Sequence, residues 1–536
     1  MKIKYVLSFI FFFGIVASSI AQDSKKLLCK ILDQESKYPV SYATIKFEDI
    51  QNGVIADEEG EFRLPLEYKT SNKTIIISSI GFESLRVSIN TLNDNTINII
   101  YLRPKIEALD AVMLSGKTKT KILSAEDIIK KAIKNIPVNY PQLPHSYISY
   151  YRDYQLVNDN YYNLNESILE NFDAGFQTNK YGNRENVTAL YSYDLNKNYY
   201  LDSMLLKSVY GSSKIINKDE SAKFNTAVQN ELEILNGHNP IRNYNVASFS
   251  FINTFRINFI DNHVFKLQEI KYMDETPLFE ISFVSKDTEN AKFKSIGKIY
   301  IAKTNYAIYK IEYKMLENEK FAQNRYKRGN STKFESRDRL NTLFETKVEY
   351  KAVNDKMYLN YMTFNNRFII KEPNPFKVED FEFDPKDEAF YITFNKSVDK
   401  SSIERSSRFK LLYKNKKLII KTIELVKTNV IKINVIDWAA GSKAKLTEVA
   451  SEDFSYKLKR IKDTAGGTLD KESKILGYQF REFFTQEVFE NKTPSTELIF
   501  IYKTRPLSAS RVNEANFDIN KYWVNSPLKQ TKGDGF

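Results

Sequence analysis

Chemistry needs particular side chains at particular spacings, and this sequence offers few. Its single cysteine, Cys29, lies in a stretch that reads as strand, with no histidine near it in sequence. A thiol nucleophile needs a base within reach, so this one reads as structural. His145, His238 and His263 are widely separated and lack the short recurring spacing of zinc ligands, so each reads as structural or exposed. The Gly-x-Ser-x-Gly elbow, the His-Glu-x-x-His helix and a glycine-rich phosphate loop are all absent. With 67 Asp and Glu residues, a glycosidase-like carboxylate pair could assemble in the fold, but spacing singles out none. Glu166 and Glu170 share one strand and read as polar surface. Asp57, Glu58, Glu59 and Glu61 surround Gly60, yet their spacing does not follow the ligand series of an EF-hand loop. They read as a solvated hairpin turn. The expectation is no catalytic residue, no metal ligand and no cofactor.

The elements that would position any site are mostly strands. Leu85, Val87 and Ile89 alternate with Arg86 and Ser88, the period of a half-buried strand. Thr74 to Ile77 is β-branched throughout and suits a deeply buried one. Ser124 to Ile136 is the clearest helix: Ser124 can cap, Asp127 follows at the capping-box position, and Ile128, Ile129, Ala132, Ile133 and Ile136 form one apolar face that Pro137 ends. Further strands are expected over 278–315, where Ile299 and Ile301 share one face and Ala307, Tyr309, Ile311 and Tyr313 another, and over 346–370. Residues 316–345, with Arg325, Lys327, Arg328, Lys333, Arg337 and Arg339, read as a charged loop or an anion-binding flap. Phe390, Ile392 and Phe394 would face the core of a later β unit.

Residues 1–21, MKIKYVLSFIFFFGIVASSIA, have a basic start, an apolar run from Val6 to Val16 and small residues before Ala21 and Gln22. This is the layout of a secretory signal peptide cut between Ala21 and Gln22. Gln22 stands where a lipoprotein needs Cys, and no later segment is apolar for long enough to span a bilayer as a helix. Losing Lys2 and Lys4 takes the formal charge from +12 to +10. The Lys and Arg are interspersed with acids rather than clustered, which argues against a nucleic-acid partner. A hydrophobic fraction of 42% supplies real cores, and one cysteine excludes a disulfide scaffold.

Four resemblances organise the chain. The runs CKILDQESKYPVSYATIKF, GVIADEEGEFRL, IIISSIGFESLRVSI and INIIYLRPKIEALDAVML resemble the carboxypeptidase regulatory-like domain of Bacteroidota envelope proteins, through Asp33, Pro39, Ala43, Asp57, Gly60, Phe62, Ser79, Gly81, Leu102, Leu109 and Val112. Cys29 stands where that family usually has Gly. The resemblance implies a transthyretin-like β-sandwich without catalytic residues. The helix, Asn139-Tyr140-Pro141, Tyr151-Arg152 and Asn165-Glu166 resemble a second envelope family of unknown function, and the following strands look like the half-barrel of outer-membrane lipoprotein carriers. FEFDPKDEAFYITFNKSVDKSSI and LKRIKDTAGGTLD, with Asp463, Ala465 and Gly466, resemble bacterial Ig-like domains.

The expected fold class is mainly β and multidomain: a transthyretin-like sandwich, a helix-capped antiparallel sheet and an Ig-like sandwich. The expected order is signal peptide 1–21, regulatory-like sandwich 25–103, linker 104–123, central domain 124–379, Ig-like domain 380–470, and strands with a polar tail over 471–536. Those last strands could return to the central domain. The resemblances imply a non-catalytic protein of the periplasm or outer-membrane periphery, partnered by an outer-membrane barrel or assembly. A binder of glycan or peptidoglycan is the alternative, because 14% of the chain is aromatic and aromatic faces stack on sugars. A hydrolase of envelope polymers comes third.

Overall fold

The computed structural model describes residues 26–49, 53–71, 73–107, 123–157, 160–180, 183–202, 205, 230–246, 252, 254–286, 293–317, 342–371, 374–436, 451–464, 466–471, 474–513 and 517–528. The signal-peptide site at Ala21 and Gln22, the cationic stretch from Arg325 to Arg339, Leu109, Val112 and Ala465 lie outside them. The protein is mainly β and built from several separate sheets, without a closed barrel. It divides into two compact units; the first comprises residues 1–316, 343–366 and 479–536, the second 317–342 and 367–478.

The first unit opens with an N-terminal sandwich. Strand β1 (Lys26–Asp33) buries Leu27, Cys29 and Ile31 on one face and pairs antiparallel with β4 (Glu61–Pro65) and parallel with β7 (Asn98–Leu102). The opposing sheet runs β3-β2-β5-β6, from β2 (Thr44–Phe47), β3 (Gly53–Ile55), β5 (Thr74–Ser78) and β6 (Leu85–Ser88). Ile75 and Ile77 of β5 are fully buried, as a β-branched run predicts. Asp57 to Gly60 is a turn, but it joins β3 to β4 in different sheets, so it is a crossover rather than a hairpin. Gly60 there has φ +72°, and a Cβ on it would stand 2.5 Å from the Ile31 carbonyl oxygen. Only glycine fits both conditions.

The larger part of the unit is an open sheet of eleven strands. Its members are β8 (Ile106–Glu107), β9 (His145–Val157), β10 (Asn160–Asp173), β11 (Thr188–Leu195), β12 (His263–Met273), β13 (Thr276–Ser285), β14 (Phe293–Ala302), β15 (Ile308–Glu317), β16 (Thr342–Val353), β17 (Lys356–Lys371) and the strand Lys474–Glu490. The spatial order is β11-β10-β9, then Lys474–Glu490, then β17-β16-β15-β14-β13-β12-β8. The start of the expected linker is thus an edge strand. The helix Ala125–Lys134 carries the full Ser124–Asp127 capping box and buries Ile128, Ile129, Ala132 and Ile133. It stops before Ile136; Pro137 sits in the first turn of a second short helix, Ile136–Asn139, where its missing N–H is harmless. Helices Glu231–Gly237 and Phe255–Asn262 add to the same core.

The second unit packs two sheets around its own core. One runs β18-β19-β23-β22, from β18 (Val378–Asp384), β19 (Ala389–Phe394), β22 (Ile419–Lys427) and β23 (Val430–Ile436). The other runs β21-β20-β24, from β20 (Phe409–Tyr413), β21 (Lys416–Lys417) and β24 (Phe454–Leu458). Phe390, Ile392 and Phe394 are fully buried, as their alternation predicts. Asp463 accepts a hydrogen bond from the Gly467 N–H at 2.6 Å, closing the last turn. The strand Lys474–Glu490 is β25, the last in the chain.

Candidate functional site

A set of buried charges in the first unit lies where the N-terminal sandwich meets the eleven-stranded sheet. Strand alternation puts Ile148, Tyr150, Arg152 and Tyr154 of β9 on one face, opposite Phe480, Glu482, Phe484 and Gln486 of β25. Tyr42 of the sandwich stacks on Tyr361 of β17, and Asn360 donates to the Thr44 hydroxyl at 3.0 Å. At the centre, the Arg152 and Glu482 side chains are both fully buried and form an ion pair through Arg152 Nε. Glu482 also accepts from the Tyr42 hydroxyl at 3.2 Å. Burial alone would lower the Arg152 pKa, but Glu482 together with Tyr150, Tyr154 and Asp57 outweighs it and holds the guanidinium charged. The Tyr42 and Tyr154 hydroxyls are pushed up by burial, then by the Glu482 charge, so both stay protonated.

Asp57 borders this centre. Its carboxylate accepts the Glu59 and Glu61 backbone N–H groups at 3.0 and 2.8 Å. Burial pushes its pKa up to about 7, against the pull of Arg152. Asp57 and Glu61 are therefore buried, not part of a solvated turn, because the larger sheet covers the crossover.

A C-terminal segment completes the site. Trp523 belongs to the core of the N-terminal sandwich, with its ring 4.7 Å from Phe47 and 5.6 Å from Tyr68. Gln486 donates to the Trp523 carbonyl at 2.7 Å and accepts from its N–H at 2.8 Å. Asn525 accepts from the Arg63 N–H at 2.9 Å and donates to the Ile55 carbonyl at 3.0 Å. The Arg63 guanidinium donates to the Ser526 and Pro527 carbonyls at 3.0 and 2.8 Å, and Tyr199 donates to Pro527 at 2.7 Å. Arg152 donates to the Asn525 carbonyl. The 517–528 part of the expected polar tail is thus a packed segment; the ending from Lys529 lies outside the described residues.

The remaining candidates are occupied structurally. Glu166 accepts from Tyr150, Asn196 and Ser526, and Glu170 from Ser146 and Tyr191, with Lys492 2.7 Å away. Both are buried rather than polar surface, because the segment around Ser526 and the Tyr191 strand cover them. Cys29 is fully buried and its thiol pushed up to about 12. All three histidines are buried; burial lowers His145, takes His238 down to about 3 and His263 to about 4. Asp173 is clamped by Arg242 through two 2.8 Å bonds and by Lys180 at 3.2 Å, which outweigh its burial and hold it well below the usual range. Among the described residues no cluster of His, Cys, Asp and Glu could hold a metal ion. A cavity of about 20 Å³ beside Tyr147, Asn171 and Arg242 has room for a water. A cleft of about 180 Å³ beside Phe172 and Lys492 is smaller than the ~300–1,000 Å³ usual for ligand pockets. No described helix is long and apolar enough to cross a membrane.

A family model, the CarboxypepD_reg-like domain, matches residues 29–114. The N-terminal sandwich is a carboxypeptidase regulatory-like domain. No curated protein and no solved structure matches the chain. The regulatory-like domain therefore contributes Tyr42, Asp57 and Arg63 to the buried centre, while the rest comes from sheet strands and the C-terminal segment. Of these, sequence reading singled out Asp57, and placed Arg152 only within a resemblance. Glu482 and Trp523 had no local signal beyond alternation in YQFREFF and the aromatic spacing of Phe517, Tyr522 and Trp523.

Proposed function

We propose that this chain is an exported, non-catalytic component of the cell envelope of a Bacteroidota-type bacterium. It works at the periplasmic side of the outer membrane as a structural or interaction subunit of a larger assembly. The second unit is then an Ig-like sandwich, and residues 1–21 a signal peptide cut after Ala21. The observation that carries the reading is the fate of the chemistry-bearing groups. Arg152, Glu482, Asp57, Glu166 and Glu170 brace a regulatory-like domain against a sheet, and none of them lines either of the two cavities described above. Buried charges held this way suit a role in fixing a geometry. Many aromatic rings of the central sheet, Tyr150, Tyr313, Tyr350 and Tyr361 among them, are fully or almost fully buried, which counts against a glycan platform at those positions.

The test is affinity purification of a C-terminally tagged copy from detergent-solubilised envelopes, with mass spectrometry of the eluate. A stoichiometric outer-membrane barrel or assembly component is expected. A tagged chain that elutes alone, or that is found wholly in the culture medium, refutes the proposal.

A further inference from the structure

The segment Tyr522–Leu528 is held largely through its backbone and one buried ring. It belongs to no strand, yet several of its backbone polar groups are read by side chains from elsewhere. Gln486 takes both polar groups of Trp523, as a neighbouring strand would. Arg63 and Tyr199 take the carbonyls of Ser526 and Pro527. Asn525 pairs with the regulatory-like domain as a backbone group would, through the Arg63 N–H and the Ile55 carbonyl. One large side chain, Trp523, is 5% exposed and fills a pocket formed by Phe47 and Tyr68. Backbone reading plus one buried aromatic anchor is how proteins bind extended peptides.

We infer that the regulatory-like domain and the sheet form a peptide-binding groove, and that Tyr522–Leu528 is its intramolecular ligand, displaceable by a peptide of the same kind. The ligand class is an extended segment with a tryptophan anchor, an asparagine two residues later and a serine–proline pair after that. The specificity follows from the contacts: Phe47 and Tyr68 select the indole, Arg63 and Ile55 select the amide, and Glu166 accepts the serine hydroxyl at 2.7 Å. The inference deepens the reading of this chain as an interaction subunit, since it names the surface by which a partner peptide would enter. Its test does not depend on knowing the partner.

The experiment places a specific protease site between Asn513 and Phe517 of the full chain, so that the protein folds intact and is nicked afterwards. A fluorescein-labelled synthetic peptide spanning 517–528, FDINKYWVNSPL, is then followed by anisotropy. The nicked protein is expected to bind the peptide saturably, the uncut protein at least tenfold less. The same peptide with Trp523→Ala should bind at least tenfold more weakly. Circular dichroism before and after nicking reports whether the fold survives. The inference is overturned if the nicked, folded protein takes up no labelled peptide, if the alanine peptide binds equally well, or if nicking unfolds the regulatory-like domain. A failure of the pull-down with successful peptide exchange would reject the envelope assembly and leave the groove standing.

Discussion

Replacing Glu482 by glutamine removes one charge from the centre of the first unit and changes almost no volume. The wild-type carboxylate is paired with Arg152 and accepts from Tyr42, with the Tyr154 hydroxyl at 3.5 Å. In Glu482→Gln the Arg152 guanidinium stays fully buried, with the Asn525 carbonyl as its main remaining acceptor and one terminal nitrogen already without a partner. Breaking a buried pair from one side costs about 3–5 kcal/mol. A typical domain has only about 5–15 kcal/mol in hand, so the loss removes a third of the stability or more. Arg152→Met alone should cost a similar amount, because Glu482 is then stranded. The double variant Arg152→Met with Glu482→Leu should recover most of the loss, since an apolar pair of similar size needs no counter-charge. Urea unfolding followed by far-UV circular dichroism reads all four proteins. A Glu482→Gln loss below about 1 kcal/mol, or a double variant no more stable than Arg152→Met alone, would refute the account.

Trp523→Ala empties part of the regulatory-like core and should cost about 3–5 kcal/mol, read as a lowered urea midpoint of the first unit. Burial makes the folded Asp57 bind its proton up to about pH 7, well above its unfolded value. Its contribution to stability is therefore full below about pH 4 and lost as pH rises through 7. Asp57→Asn, neutral at every pH, should therefore gain stability relative to wild type as pH rises over that window; His238 and His263, depressed by burial and therefore opposite in sign, are common to both proteins and cancel. Cys29 should resist a thiol reagent in the native protein and react on unfolding, because its thiol is buried and pushed up to about 12. Ser124→Ala should lower stability by about 1 kcal/mol through loss of the cap seen at Asp127, checked by thermal unfolding.

Local features were legible in the residues. The Ser124–Asp127 box, the alternation of Leu85 and Val87 with the exposed Arg86, and the apolar face of Phe390, Ile392 and Phe394 each depend on neighbours within a few positions. The bracing centre was not legible, because Arg152 and Glu482 are 330 residues apart and meet only when β25 joins β9. Asp57 shows the same limit. Its turn was readable from Asp57 to Gly60, but its burial is imposed by strands that sequence reading treated as another domain. The C-terminal segment looked like a tail by polarity, because its hydrogen bonds are to backbone groups that composition does not reveal.

The strand order sets a constraint on how this chain is made. β25 is the last strand in the chain, yet it lies between β9 and β17. Until residues 474–490 emerge, the sheet exists at most as two separate parts with unpaired edges at β9 and β17. Such edges are templates for wrong pairing between chains. The seam also closes over long sequence separations, which slows assembly. During synthesis the chain therefore carries two open edges until residues 474–490 are available. A premature stop before β25 would leave those edges permanently exposed, turning a stable sheet into an aggregation-prone one.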